Sequence, residues 1–168
     1  MTGNLYFAYG SNMDEEQMSF RGLEVLEARG AVLVGYRLAF DFPARSRWLG
    51  GAADIVNDPE GRVEGVLYHL ATDISTMDEW EGGYRRIEVE VQVPPSLEPL
   101  GAWTYVVIEK GPPMTPSDVY VGQMLKGAYQ FGLSRAYREE LEAHMEIALE
   151  ELGAHVRAVR TLANAARP

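Results

Sequence analysis

Cysteine is absent from this 168-residue chain. That excludes disulfides, thiolate nucleophiles and sulfur-ligated metals. Basic residues are scarce too: 15 Lys and Arg stand against 25 Asp and Glu, for a formal net charge of −10. A surface that tracks phosphates concentrates Lys and Arg, so no nucleic-acid partner is expected. No stretch approaches the roughly 18 uninterrupted apolar residues of a membrane span, and no membrane partner is expected either. The opening Met1-Thr2-Gly3-Asn4 lacks a basic region followed by an apolar one, so a signal peptide is not expected. The histidines, His69, His144 and His155, follow no zinc-ligand spacing, and His144-Met145-Glu146 does not continue into H-E-x-x-H. Neither G-x-x-x-x-G-K-[ST] nor a strand-anchored G-x-G-x-x-G occurs. These absences point to a cytoplasmic protein that handles a small molecule without metal or nucleotide cofactor.

What is present fits one domain over residues 1–168, since an apolar content of 46% can fill a single core. Leu5 to Tyr9 reads as a buried first strand closed by Gly10-Ser11. Asn12 is then expected to cap a short helix, with Glu15 completing a capping box. Ala31 to Phe42 reads as a long strand bent at Gly35. Ala52–Val56 and Val63–Leu70 flank Asn57-Asp58-Pro59-Glu60-Gly61, which carries the signal of a hairpin turn. Thr72 is expected to cap a helix that runs to about Glu81 and stops at Gly82-Gly83. Ile87, Val89, Val91 and Val93 alternate with polar residues as in a half-buried strand, and Ala102 to Glu109 is its expected antiparallel neighbour. The C-terminal third changes to helical period. Tyr120, Met124, Ala128 and Phe131 share one face, and Tyr137, Leu141, Met145, Ala148 and Leu152 another; Pro116-Ser117 starts the first of these helices, Gly132 ends it and Ser134 caps the second. A frayed tail is expected from about Ala163. Strands first and helices last, joined by antiparallel connections, predict an α+β domain with a curved or closed sheet.

Two places could carry chemistry. At Tyr9-Gly10-Ser11-Asn12 a glycine between strand and helix lets the backbone approach a ligand; an ordinary capped turn is the alternative. At Asp78-Glu79-Trp80-Glu81-Gly82-Gly83-Tyr84 a carboxylate at a helix end, if partly buried, would acquire a raised pKa suited to proton transfer near neutral pH. A solvated helix terminus is the alternative there, and position alone does not single out Glu81 among its neighbours. Arg45, Arg47, Arg85 and Arg86 are where a local positive field could meet an acidic substrate. Tyr120, at the start of its helix, could turn its hydroxyl toward a cleft.

In combination these segments resemble the γ-glutamylcyclotransferase family. The resemblance begins at Tyr6-Phe7-Ala8-Tyr9-Gly10-Ser11-Asn12-Met13, similar to that family's Y-G-S-N opening. It continues through residues 47–56 and 61–68 and is sharpest at Met77 to Arg86. It runs from Leu5 to about Leu133. The resemblance implies a small mixed β-barrel with flanking helices and an intramolecular reaction. In it the α-amine of a γ-glutamyl group attacks its own γ-carbonyl, yielding 5-oxoproline and a free amine. It also implies Glu81 as the catalytic carboxylate. Tyr9, Gly10, Ser11, Asn12, Tyr84 and Tyr120 would be the substrate-binding residues, with a small γ-glutamyl substrate and a monomer or homodimer. Removal of a γ-glutamyl protecting group from an amine or carrier-bound product, and a non-catalytic binding domain of the same fold, are the competing readings.

Overall fold

The computed structural model describes residues 3–44 and 49–165. Five strands close into a barrel in the order β1, β3, β2, β4, β5. They are β1 Leu5–Ala8, β2 Val25–Pro43, β3 Gly51–Leu70, β4 Tyr84–Gln92 and β5 Pro99–Val107. All neighbours run antiparallel except β1 and β5, whose parallel pairing at Tyr6 and Trp103 closes the ring. This is the mixed, closed α+β barrel that the sequence and its resemblance imply. Four helices stand outside it: α1 Glu15–Phe20, α2 Ser75–Asp78, α3 Asp118–Gln130 and α4 Arg135–Ala165.

The long β2–β3 ribbon is the main departure from the sequence reading. Tyr36 pairs with Asn57 and Val34 with Arg62, so the chain does not reverse at Asn57–Gly61. The segment is an excursion within one 20-residue strand, not a hairpin turn. Both apolar runs beside it find the same partner because β2 is 19 residues long. The break in register falls at Gly35, where φ is +85°. That is a left-handed conformation open to glycine.

The hydrophobic core includes Phe7, Leu33, Ile55, Val66 and Tyr68, all essentially without exposure. α3 lays Tyr120, Val121, Met124 and Ala128 against the outside of this core. Its start is capped as the sequence suggests, with Ser117 Oγ accepting from the Tyr120 N–H at 3.2 Å. Ser134 Oγ caps α4 by accepting from Tyr137 N–H. Buried Glu64 fastens the same end, accepting the Ser134 N–H at 2.7 Å and its hydroxyl at 2.6 Å. α4 is helical through Ala165, past the point where a frayed tail was expected.

Candidate active site

Strand directions decide where a site can form. Because β1 and β5 are parallel and the other neighbours antiparallel, one end of the barrel collects the C-terminal ends of β1, β2 and β5 and the N-terminal ends of β3 and β4. A cavity of about 1020 Å³ opens at that end. Its lining includes Gly10, Ser11, Asn12, Glu81, Tyr84 and Tyr120, together with Tyr9. All seven candidate residues therefore share one pocket, although Glu81 and Asn12 are 69 positions apart in the chain.

Glu81 is not on a helix. α2 is a single turn that ends at Asp78, and Thr72 does not cap it: its hydroxyl accepts from the Glu24 N–H instead. Asp73 accepts from the Ser75 N–H at 2.8 Å just ahead of that turn, whose N-cap residue, Ile74, makes no side-chain capping bond. Glu81 follows in the turn before β4, with 12% of its side chain exposed. Its Oε1 accepts from Asn12 Nδ2 at 3.0 Å and from Arg21 Nη1 at 2.9 Å. Burial pushes the carboxyl above its ordinary value, while the Arg21 charge and the two hydrogen bonds pull against that rise. The net direction is upward. The cause is desolvation, the burial on which the sequence reading made the shift depend, although Glu81 stands beyond the helix end and not on it.

Asn12 also has another task than the expected one. It lies in a 3-10 turn, Ser11–Met13, and Asp14 caps α1 by accepting from the Glu16 N–H. The Asn12 amide spans the pocket wall. It donates to the Tyr6 hydroxyl at 2.8 Å and to Glu81, and accepts from Gln17 Nε2 at 2.8 Å. The side chain is thereby committed to holding the carboxylate. Ser11 Oγ accepts from Gln17 Nε2 as well, and among the described residues that line the cavity there is no histidine to serve it as a base.

The pocket tyrosines are neutral, and two of them donate to backbone carbonyls. Tyr9 hydrogen-bonds the Tyr105 carbonyl, and Tyr84 the Ala53 carbonyl at 2.8 Å. The Tyr120 hydroxyl accepts from the Ala53 N–H at 3.0 Å. Burial raises its pKa to about 12, with backbone N–H groups of Ala53 and Ser11 opposing the rise. This hydroxyl lies against Gly10: a β-carbon there would sit 2.8 Å from it and 3.3 Å from Ala53 Cβ. The glycine is required by close approach, since its φ of −111° is open to any residue.

Among the carboxylates near Glu81, Asp78 accepts from the Tyr105 hydroxyl at 2.6 Å and pairs with Arg86 at 3.5 Å. Glu79 is on the exposed rim of the cavity. Arg86 also stacks over Trp103, and Arg85 is exposed on β4. Arg45 and Arg47 lie outside the described residues. The sequence reading missed Arg21, the cation that touches Glu81, and Gln17, which orients Asn12. It missed the aromatic wall as well. Phe20 faces Trp80 at 6.0 Å, the Trp80 ring lies 5.6 Å from the Arg21 guanidinium, and Phe42 meets Tyr84 edge-on at 5.1 Å. A basic residue at the end of the short helix α1 was the available signal for Arg21, but nothing local joins it to position 81. Among the described residues no group of three or more His, Asp or Glu is arranged to hold a metal.

Comparison with known proteins follows this geometry. The sequence profile of the family described as "Gamma-glutamyl cyclotransferase, AIG2-like" matches residues 6–122. A mouse protein named gamma-glutamylcyclotransferase is 34% identical over 149 residues, covering 83% of this chain and 77% of that protein. A human protein of the same name is 32% identical with the same coverage. A solved structure of a gamma-glutamyl cyclotransferase superposes with a TM-score of 0.74 at 29% identity, over 83% of this chain and 86% of that one.

Proposed function

This chain belongs to the AIG2-like γ-glutamylcyclotransferase family, a family of enzymes, and from that premise we propose how its own residues perform the reaction. The substrate is a γ-glutamyl amino acid or amine, and the products are 5-oxoproline and the free amine. One observation supports the reading most directly. A nearly buried carboxylate, Glu81, is aimed by Asn12 and Arg21 into the cavity that the Gly10 turn also lines.

The reaction needs little from the protein because the substrate carries its own nucleophile. Its α-ammonium first gives one proton to solvent, and the amine nitrogen then bonds to the γ-carbonyl carbon. The carbonyl oxygen becomes an oxyanion and the nitrogen a cation. Glu81 takes a proton from that nitrogen. It returns the proton to the departing nitrogen as the original amide C–N bond breaks. A carboxylate with a raised pKa can do both, and such a group supplies roughly 10²–10⁴-fold in rate. Folding the flexible glutamyl chain into a near-attack shape supplies a further share. The cavity backbone at Gly10 to Asn12 and the tyrosine hydroxyls are the polar groups available to orient the α-carboxylate and the oxyanion. No metal or cofactor enters this sequence of steps, and a cytoplasmic location suits its substrates.

The experiment is a panel of γ-glutamyl amino acids, γ-glutamyl amines and glutathione, assayed for 5-oxoproline by mass spectrometry. Release from at least one, abolished in Glu81→Gln, is the expected result. No release from any of them would leave the fold without this activity.

A further inference from the structure

The cavity that holds Glu81 changes character from its floor to its rim. Tyr6, Tyr9, Ser11, Asn12 and Tyr120 line it and are buried, offering hydroxyls, an amide and backbone groups. Phe20, Trp80 and Ile108 line it too, and they are 72%, 45% and 59% exposed. A γ-glutamyl compound divides in the same way. Its glutamyl half is the same in every member of the class and carries an ammonium and a carboxylate. Its amine half varies. A polar group taken out of water needs a hydrogen-bonding partner, so the glutamyl half belongs on the floor and the amine half is left at the rim.

The chain also fixes which part of the rim the amine half meets. The departing nitrogen must come within reach of Glu81, which hands it a proton. Trp80 is the residue before Glu81, and Phe20 is the residue before Arg21, whose guanidinium is 2.9 Å from the Glu81 carboxylate. The two rings lie 6.0 Å apart and tilted by 52°. The Trp80 Nε1–H donates to the Arg21 carbonyl at 3.2 Å and ties the two segments together. A substituent on the departing nitrogen therefore leaves the cavity past this pair of rings. Large apolar side chains scattered singly over a surface need no explanation, but gathered at the mouth of a polar cavity they mark a binding surface.

We propose that Phe20, Trp80 and Ile108 form the subsite for the released amine, and that this subsite takes an aromatic side chain. The inference rests on the γ-glutamyl reading above and adds what the enzyme selects. A ring entering here finds offset or edge-on partners in Phe20 and Trp80 and an aliphatic surface in Ile108. A small leaving group, or the cysteinylglycine of glutathione, brings no ring for those faces. The contact is remote from the bonds being made and is the same before and during ring closure, so its effect falls on KM rather than on kcat.

Steady-state release of 5-oxoproline from γ-glutamyl-phenylalanine and γ-glutamyl-alanine tests this, because the two compounds differ by one phenyl ring and share every charge. The wild type should favour the phenylalanine compound in kcat/KM by about tenfold or more, mainly through KM. In Phe20→Ala and Ile108→Ala the ratio should fall toward parity. Both side chains are exposed, so neither substitution removes a core contact. Trp80 is left in place, since its ring also lies over the Arg21 guanidinium and its loss would disturb Glu81 directly. Equal kcat/KM for the two compounds in the wild type, or a preference that both variants retain in full, overturns the subsite and leaves the cyclisation reading standing. No release from either compound, from glutathione or from any γ-glutamyl amine overturns both.

Discussion

In the proposed reaction Glu81 takes up and gives back one proton, and its surroundings set the pH at which it can. Its carboxyl is raised by burial, against the opposing charge of Arg21. The rate profile should therefore show an acid limb above the ordinary glutamate value of about 4.3, with kcat/KM rising as Glu81 ionises. Glu81→Gln should bind substrate nearly normally, lose roughly 10²–10⁴-fold in kcat and erase that limb. Near-normal turnover in a folded Glu81→Gln protein would move the role to another carboxylate. Linkage gives a second readout. A carboxyl with a raised folded-state pKa contributes stability below its unfolded pKa and loses it as pH rises through the folded one. Urea titrations should then show Glu81→Gln gaining on the wild type across that window and holding a constant difference above it. Removing the guanidinium in Arg21→Met should shift the acid limb to still higher pH, because the charge that favours ionisation is gone. An unmoved limb would mean that Arg21 does not act on Glu81. At Gly10 the space is the determinant. Gly10→Val should lower kcat/KM by driving a branched side chain into the Tyr120 hydroxyl, 2.8 Å from the new β-carbon. Gly10→Ala paired with Tyr120→Phe should relieve part of the clash, and steady-state kinetics on the single and double variants would show whether it does.

At the scale of elements, the site depends on α3 being pressed close to the 3-10 turn. Gly127 permits this: a β-carbon there would lie 2.6 Å from the Met13 carbonyl carbon and 2.7 Å from Met13 Cβ. Those distances are too short for any real side chain, so the helix must move outward. Gly127→Val should cost about 1–3 kcal/mol as overpacking, or roughly 2–4 °C of Tm for each kcal/mol in a domain of this size. It should also lower kcat/KM, since α3 carries Tyr120 and Gln123 to the pocket wall. Gln123 Nε2 donates to the Ser11 carbonyl at 3.1 Å and to Gln17 at 2.7 Å. A variant with unchanged melting and unchanged kinetics would show that the turn tolerates a displaced helix. The elements also differ in how far their own residues announce them. β4 and the capped starts of α3 and α4 were legible because alternation and Ser–N–H caps involve residues two or three apart. α2 was read as too long: Thr72 does not cap it, and only a single turn forms before the chain must enter β4. The Asn57–Gly61 segment has the composition of a hairpin turn, yet the length of β2 holds both of its flanks on one partner.

For the whole molecule, the reaction is assigned to substrate folding and one carboxylate, with the nucleophile brought in by the substrate. Activity should consequently survive exhaustive chelation and dialysis without loss. A fall in 5-oxoproline release on chelation, reversed by a divalent metal, would contradict that assignment. Barrel closure is what makes the site possible at this scale. The parallel contact of β1 and β5 brings the ends of all five strands to one cavity. It also takes water away from Glu81 while leaving an opening for a small ligand.

Local physics was enough to specify much of this protein. The apolar first strand, the glycine turn after it, the period-two alternation of β4 and the helical C-terminal third are written in neighbouring residues. Each depends on steric and hydrogen-bonding preferences that act over a few positions. The family resemblance then pointed to Glu81, which composition and spacing alone did not separate from Asp78 and Glu79. Tertiary structure decided what those neighbours become. Asp78 is taken up by Tyr105 and Arg86, Glu79 is left on the rim, and Glu81 is enclosed with Asn12 and Arg21. Arg21 is 60 positions from Glu81, and Glu64 is 70 from the α4 cap it secures. No periodicity reaches that far. A pKa is set by desolvation and by nearby charge, and both are properties of the closed barrel rather than of any segment within it.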